Sequence, residues 1–492
     1  MTNPAVDLAA LGWWKTLKKS LLTGVIATTL SAAGANTSLP KLGDPSERTL
    51  SPAKSRAIGQ GFFRQVRQQP NYIADPVVNH YINALGDHMV DSNDLGNQSF
   101  TFFVLDNPTI NAFAVPGGYI GFYRGLIQLT QNESQLVSVM AHEIAHVTQR
   151  HLARIYAKQE DVSVATFAAV LAGILASAQG NSQVGSAAIY AGIAGSAQSQ
   201  ITFTREHELE ADRIGIQLMA RSRYNVQGVS EMFSLMQRAT VQREDEQLEF
   251  LRTHPLSSRR VAEAQNFART QDNSSAVTDS LNYQLVKARL KVLGSANPAQ
   301  LLRSTEQDIV TREPTDTELY VMAFSHQRLE QHSEASQLAA QLLQRHPDSV
   351  YAQLLKVSSE ISLGEHENAH ATMRELHANF PDHYPVLVLQ DELLQQTKQH
   401  QQAIEIWQDY LFNHPKPDTD AYRLLAAQQK ASGETAASRT SLSSYFLALG
   451  DRSAAHHQLT LALKDPNISE SQKQQVQARI DELTRERDSE SE

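Results

Sequence analysis

His142-Glu143-Ile144-Ala145-His146 is the stretch of this sequence in which residue type and spacing point most directly to chemistry. On a helix, side chains four apart share a face, with Cβ atoms roughly 6 Å apart. Two imidazoles so placed can both reach one Zn²⁺ at about 2.0–2.1 Å. A carboxylate beside the first can then take a proton from a water that the ion activates. The flanking residues read as a helix. Asn132, with Gln135 three residues on, has the form of an N-cap and capping box. Leu136, Val137, Met140, Ile144 and Val147 recur at helical spacing and make one apolar stripe. The helix is therefore expected to bury its back and turn His142 and His146 toward a cleft.

A catalytic zinc with two histidines needs a third protein ligand and an open fourth position. A second helix is expected from Thr204. Its Glu208 and Asp212 share a face, with Ala211, Ile214 and Leu218 opposite. Glu208 is the candidate ligand, and Asp212 can accept a hydrogen bond from the distal nitrogen of a ligand imidazole. Glu206 and Glu210 lie nearby, and spacing alone does not choose among these acids. Upstream, residues 100–105 read as a strand. Residues 111–115 and 119–122 flank Pro116-Gly117-Gly118 and read as a hairpin. Such strands beside a metal helix can hold an extended peptide by edge pairing.

The 492 residues are enough for two or three domains. A net charge of −10 without a long basic run argues against a broad nucleic-acid surface. The absence of cysteine excludes disulfides, thiolate-bound zinc, thiol nucleophiles and Cys-linked lipid anchors. Residues 1–35 have the layout of a secretory signal peptide. Lys15, Lys18 and Lys19 precede an apolar run that ends in Ala33-Gly34-Ala35, with cleavage expected near Asn36. That run is about 15 residues, short of the ~20 that span a bilayer. A proline-rich lead-in follows over 36–54, then a metal-binding domain over 55–270. Within it, 162–196 is rich in Ala, Gly, Val and Ile. A helical hairpin buried against the domain and a lid or membrane-facing flap both fit that composition.

The C-terminal part repeats. Pro347, Pro381 and Pro415 are spaced by 34, as are Ala335, Ala369 and Ala403. Thirty-four is the tetratricopeptide period. The alanines fall where the second helix of a unit packs on the first, and the prolines just after that helix, where they interrupt no hydrogen bond. Leu449-Gly450-Asp451, Ala454 and Pro466 fit a further unit, whereas 417–449 fits less well and lacks the proline. About four units are expected within 271–483, forming a concave protein-binding surface. The charged, Ser-rich stretch 484–492 is expected to be a disordered tail.

Taken together, these features resemble the β-barrel assembly-enhancing protease (BepA) family of Gram-negative bacteria over nearly the whole mature chain. The resemblance rests on the leader, the H-E-x-x-H run, the repeats and the run Thr204-Arg205-Glu206-His207-Glu208-Leu209-Glu210-Ala211-Asp212-Arg213-Ile214-Gly215. It implies a mainly α fold, with a zincin-type metalloprotease domain carrying a small β-hairpin or sheet, followed by an α-helical repeat solenoid. It also implies one Zn²⁺ held by His142, His146 and Glu208, with Glu143 as catalytic base and Asp212 orienting a ligand ring. Thr253-His254-Pro255-Leu256-Ser257-Ser258-Arg259-Arg260 matches a family loop whose histidine can take the fourth zinc position and hold the enzyme inactive, a role that falls to His254. Arg260 lies where the family often has an arginine near the site, stabilising an oxyanion or pairing with an acid. The implied function is that of a periplasmic endopeptidase and chaperone in outer-membrane β-barrel assembly and quality control. The implied partners are misfolded or stalled outer-membrane proteins, the β-barrel assembly machinery and the lipopolysaccharide-transport barrel protein. No nucleic acid is implied, and membrane contact is expected at most peripherally through 162–196. A mainly non-proteolytic adaptor that docks through its repeats is the alternative.

Overall fold

The computed structural model describes residues 50–96, 98–157, 203–242, 249–270, 276 and 279–491. The leader and the 162–196 segment lie outside these residues. The first helix, α1 (Pro52–Val66), starts where Ser51 accepts a hydrogen bond from the Lys54 N–H and Pro52 occupies the first turn, where its missing N–H costs nothing. Asp75 and Pro76 start α2 (Pro76–Asp91) in the same way.

A three-stranded sheet follows: β1 (Thr101–Leu105), β2 (Ala112–Val115) and β3 (Tyr119–Tyr123), in the order β1-β3-β2. β2 and β3 form the expected antiparallel hairpin, in register from Ala112 against Phe122 to Val115 against Tyr119. Its turn depends on Gly117 and Gly118, both at positive φ (88° and 85°), a conformation that side chains disfavour. β1 pairs in parallel with the other side of β3, which leaves β2 at an edge.

After α3 (Arg124–Leu129) comes α4 (Glu133–Thr148), which carries the H-E-x-x-H residues. Asn132 caps it by accepting from the Gln135 N–H at 2.9 Å. The reciprocal bond of a capping box is displaced by one residue, since the Gln135 side chain accepts from the Gln131 N–H. The expectation of an open histidine face is corrected: every residue from Glu133 to His146 is buried. The apolar stripe does mark the core side. The polar side is covered as well, because the elements packed on it bring polar partners that satisfy it. These are α6 (Arg205–Arg221) and the segment from α8 (Glu249–Thr253) into α9 (Ser258–Thr270). α5 (His151–Ala157) and α7 (Gln227–Gln242) complete this part. α6 crosses α4 at Gly215, where a Cβ would lie 3.2 Å from the His142 backbone nitrogen.

The rest of the chain is a run of helices: α10 (Leu281–Leu293) and α11 (Pro298–Asp308), each of which packs on α12 (Asp316–Arg328), then α12 with α13 (His332–Arg345), α14 (Val350–Ser362) with α15 (His366–Asn379), α16 (Tyr384–Gln396) with α17 (His400–Asn413), α18 (Thr419–Ala431) with α19 (Thr435–Ala448), and α20 (Arg452–Ala462) with α21 (Glu470–Ser491). Ala335, Ala369 and Ala403 are fully buried at the fourth position of α13, α15 and α17. The expectation of about four units falls short, since 417–449 forms the complete pair α18–α19. One extra residue ahead of α18 shifts that pair out of the 34-residue ladder. Its fourth position is Ser438, whose hydroxyl donates to the Ala426 carbonyl and so satisfies itself in the tight contact. In α20 the corresponding buried residue is Ala455, one place after the alanine expected from the sequence. α21 extends as far as Ser491. It packs on α20 through Val476, which meets Leu459 and Ala462, with Ile480 and Leu483 beside it. Among the described residues, no helix is long and apolar enough to cross a membrane.

The repeats are anchored on the part that precedes them by half-buried polar contacts. Arg289 reaches both oxygens of Asp75 (2.8 and 2.9 Å) and lies 4.0 Å above the Phe324 ring. Arg67 meets Asp420 at 2.7 Å. Glu133, in the first turn of α4, accepts from the Tyr81 hydroxyl (2.7 Å) and the Ser280 hydroxyl (2.8 Å). Burial works to raise the Asp420 pKa, but the charge and hydrogen bond of Arg67 outweigh it and hold the carboxyl below its usual range. Such a group contributes stability above its unfolded pKa of about 3.9 and loses it as pH falls through the lower folded value. Asp420→Asn should therefore lower the melting temperature at pH 7 by about 2–4 °C. The gap to the wild type should close as pH drops below about 4. A gap that stays constant on acidification would remove this pair from the account of docking.

Candidate metal centre

Four donor atoms converge from three elements. His142 and His146, one turn apart on α4, bring their Nε2 atoms to 3.0 Å from each other. Glu208 of α6 places Oε1 3.5 Å from His146 Nε2 and Oε2 3.5 Å from His142 Nε2. His254, just after α8, places Nδ1 3.3 Å from His142 Nε2 and 3.0 Å from Glu208 Oε1. All four side chains are buried, and their donor atoms lie within 4.8 Å of one another. Bonds of about 2.0–2.1 Å to a tetrahedral ion require donor–donor edges of about 3.3–3.4 Å, and the contacts quoted above scatter around that value.

The donor chemistry fits a divalent cation. Two imidazole nitrogens at 3.0 Å can share a proton, but three such nitrogens and a carboxylate oxygen gathered in one buried cluster make the donor set of a divalent cation. Glu143 Oε1 is buried without a hydrogen-bond partner among the described residues, and lies 3.6 Å from His254 Nε2. Glu143, Glu208 and Asp212 bring three carboxylates into one buried volume, against the single guanidinium of Arg260. With these groups ionised, a doubly charged ion balances the volume.

Glu208 and Asp212 arrive because α6 is capped just before them. Thr204 Oγ1 accepts from the His207 N–H, which places Glu208 in the first turn, where the helix end favours negative charge. Of the three neighbouring acids, the structure brings Glu208 to the histidines. Glu210 faces His151 and Arg154, and Glu206 lines a groove on the outside of α6. Asp212 Oδ1 lies 3.0 Å from His142 Nδ1. Arg260 grips Asp212 with Nε (2.6 Å) and Nη2 (2.9 Å), and its Nη1 reaches Glu208 Oε2 (2.6 Å) and the Pro255 carbonyl (2.8 Å). Every nitrogen of its guanidinium is thus engaged by acids or by the loop that carries His254. Burial pushes the Glu143 pKa up. Burial also works to raise Asp212, but hydrogen bonds from Arg260 and His142 prevail and hold it low.

Sequence reasoning missed the residues that hold His254 in place. Its ring lies between Phe250 (centroids 4.5 Å apart, planes at 21°) and Phe203 (5.1 Å, 28°). The Phe203 N–H donates to the Thr253 carbonyl, and the Phe250 N–H to that of Ile110. Phe250 stands four residues before His254, the spacing at which helical side chains meet, whereas Phe203 comes from a separate segment and only its apolar character marks it. Beside His142, the space lined by Val139, Ile216, Met232, Phe233 and Phe250 amounts to about 20 Å³, room for about one water. Arg260→Met would leave Asp212 and Glu208 buried without their counter-charge. It should cost about 3–5 kcal/mol in a urea unfolding experiment. A loss under about 1 kcal/mol, the range of an exposed ion pair, would contradict the buried fork.

Residues 76–268 match the model of peptidase family M48, a span from α2 into α9 that includes every residue of the cluster. The chain is 32% identical over 481 residues to the β-barrel assembly-enhancing protease of Escherichia coli (strain K12), covering 96% of this chain and 97% of that one. The protein of the same name from Yersinia pestis is 32% identical over 428 residues, covering 85% of this chain and 86% of its own. The mitochondrial metalloendopeptidase OMA1 of Schizosaccharomyces pombe is 28% identical over 181 residues, 37% of this chain and 50% of that protein.

Proposed function

This chain belongs to the β-barrel assembly-enhancing protease family of M48 metallopeptidases, and from that premise we propose that it is a periplasmic, zinc-dependent endopeptidase of outer-membrane β-barrel assembly, held latent by His254. The observation that carries this reading is the convergence of His142, His146, Glu208 and His254 beside the unpartnered oxygen of Glu143. Zinc, when bound, polarises the scissile carbonyl and activates a water for attack on it.

The remaining chemistry falls to the protein. Glu143 takes the proton of the attacking water and returns it to the leaving amine. Asp212, itself clamped by Arg260, holds the His142 ring at the angle its ligand role needs. β2 lies at the sheet edge and packs against α4, and its outer side has no strand partner among the described residues. An extended peptide can add there as a fourth strand, which brings its backbone past Glu143. His254 occupies the space such a peptide needs, so cleavage requires the loop between α8 and α9 to move. The proposed substrates are misfolded or stalled outer-membrane proteins. The proposed partners are the β-barrel assembly machinery and the lipopolysaccharide-transport barrel protein, met through the repeats.

The closed site favours a second reading, in which the resting protein acts as a chaperone or adaptor and cleaves only after release of His254. Glu143 and His254 are 1% and 2% exposed, so a client can dock without being cut. Glu143→Gln should keep zinc and lower peptide cleavage by about 10²–10⁴-fold. Retained proteolysis would reject Glu143 as the base, and full restoration of envelope integrity by this variant would favour the chaperone reading. His254→Ala should raise cleavage about tenfold if the closed loop is favoured by about 1.4 kcal/mol. Unchanged cleavage would reject latency through this residue.

A further inference from the structure

His146 faces the donor cluster with Nε2, 3.0 Å from His142 Nε2 and 3.5 Å from Glu208 Oε1. An imidazole that presents the lone pair of one nitrogen carries its proton on the other. That other nitrogen, Nδ1, lies 3.0 Å from His151 Nδ1. His151 must therefore accept there and carry its own proton on Nε2. Its Nε2 lies 3.2 Å from Glu210 Oε2, a carboxylate oxygen that only accepts when ionised. Arg154, one turn along α5, donates to the same oxygen at 3.0 Å. With neutral rings the protons have one consistent arrangement: His146 donates to His151, and His151 and Arg154 donate to Glu210.

The backbone is shaped to make this contact. Arg150, between α4 and α5, has φ 53°, a left-handed conformation uncommon outside glycine. It turns the chain so that the His151 ring meets the His146 ring edge-on, with centroids 4.8 Å apart. The same ring stacks on His207 at 4.6 Å and 23°, and His151 is 0% exposed. The two α4 histidines are thus supported differently. His142 is held directly by the buried carboxylate of Asp212. His146 is held through an imidazole by Glu210, whose side chain is 36% exposed and lines the groove outside α6 with Arg205 and Arg213.

We propose that His151, backed by Glu210, is a positioning residue that fixes the proton of His146 on Nδ1 and its ring angle, and so sets metal affinity at this site. The inference rests on the metallopeptidase reading above. The zinc dissociation constant of the purified full chain, measured by competition with a chromophoric chelator, tests it without reference to activity. His151→Phe keeps the ring bulk and removes the acceptor, and should weaken zinc binding about 10–100-fold. His151→Asn, whose side-chain oxygen takes the place of Nδ1, should recover most of that loss. Glu210→Ala should move affinity in the same direction as His151→Phe, by less. The visible spectrum of the Co²⁺-substituted protein should shift in His151→Phe and return in His151→Asn. Wild-type affinity in a folded His151→Phe protein would overturn the proposal. If that variant does not fold, unchanged affinity and Co²⁺ spectrum in Glu210→Ala would overturn it instead. A His146→Ala variant that binds zinc as the wild type does would overturn the metal reading itself, a failure distinct from that of the His151 role.

Discussion

Arg260 reaches Asp212 through two nitrogens and Glu208 through the third, and this buried fork is where α4, α6 and α9 become one unit. A lone carboxylate in such an interior costs several kcal/mol, and two cost more. One guanidinium compensates part of that charge, and the cluster of imidazoles around Glu208 is built to take a cation that compensates the rest. The candidate metal ligands and the packing of these helices are therefore parts of one electrostatic problem. The fork also explains why His254 sits where it does. The nitrogen of Arg260 that holds Glu208 also holds the Pro255 carbonyl, so one side chain fixes both a candidate ligand and the loop that closes over it.

The same economy links the site to the repeats. Glu133 begins α4 and is bound by Tyr81 of α2 and by Ser280 at the start of α10. The motif helix is thus anchored at its first turn to the point where the solenoid begins, and farther along the chain Arg289 and Asp420 extend the contact. The repeats are thereby tied to the first residue of α4 by hydrogen bonds.

Much of the site was legible because it is local. The four-residue spacing of His142 and His146 needs only a helix, and the helix is signalled by Asn132 and the apolar stripe that follows. The stripe also misled: it marks the core side of α4 without revealing that the other side is covered too, since its cover comes from residues far along the chain. Phe203 left no signal for a related reason. It stacks on the His254 ring from a distant segment, whereas Phe250 stacks from four residues before it, at helical spacing. The repeat ladder at 34 residues was equally plain until one inserted residue before α18 shifted the phase. After that, burial at Ser438 and Ala455 replaced the pattern that period alone provides.

By itself, the sequence determined the motif helix, the hairpin turned by two glycines and the period of the solenoid. The first two are set by residues within one or two turns of one another, and the third by residue types that recur every 34 positions. The tertiary structure decided which acid among Glu206, Glu208 and Glu210 meets the histidines, that Arg260 pairs with acids, that His254 fills the site and that His151 backs His146. His151 meets His146 through the turn at Arg150, whereas the choice of acid and its pairing with Arg260 depend on the rotation of α6 about its own axis where it crosses α4. That rotation is set by the close approach at Gly215 and by the fork of Arg260, contacts between segments whose mutual angle no local pattern encodes.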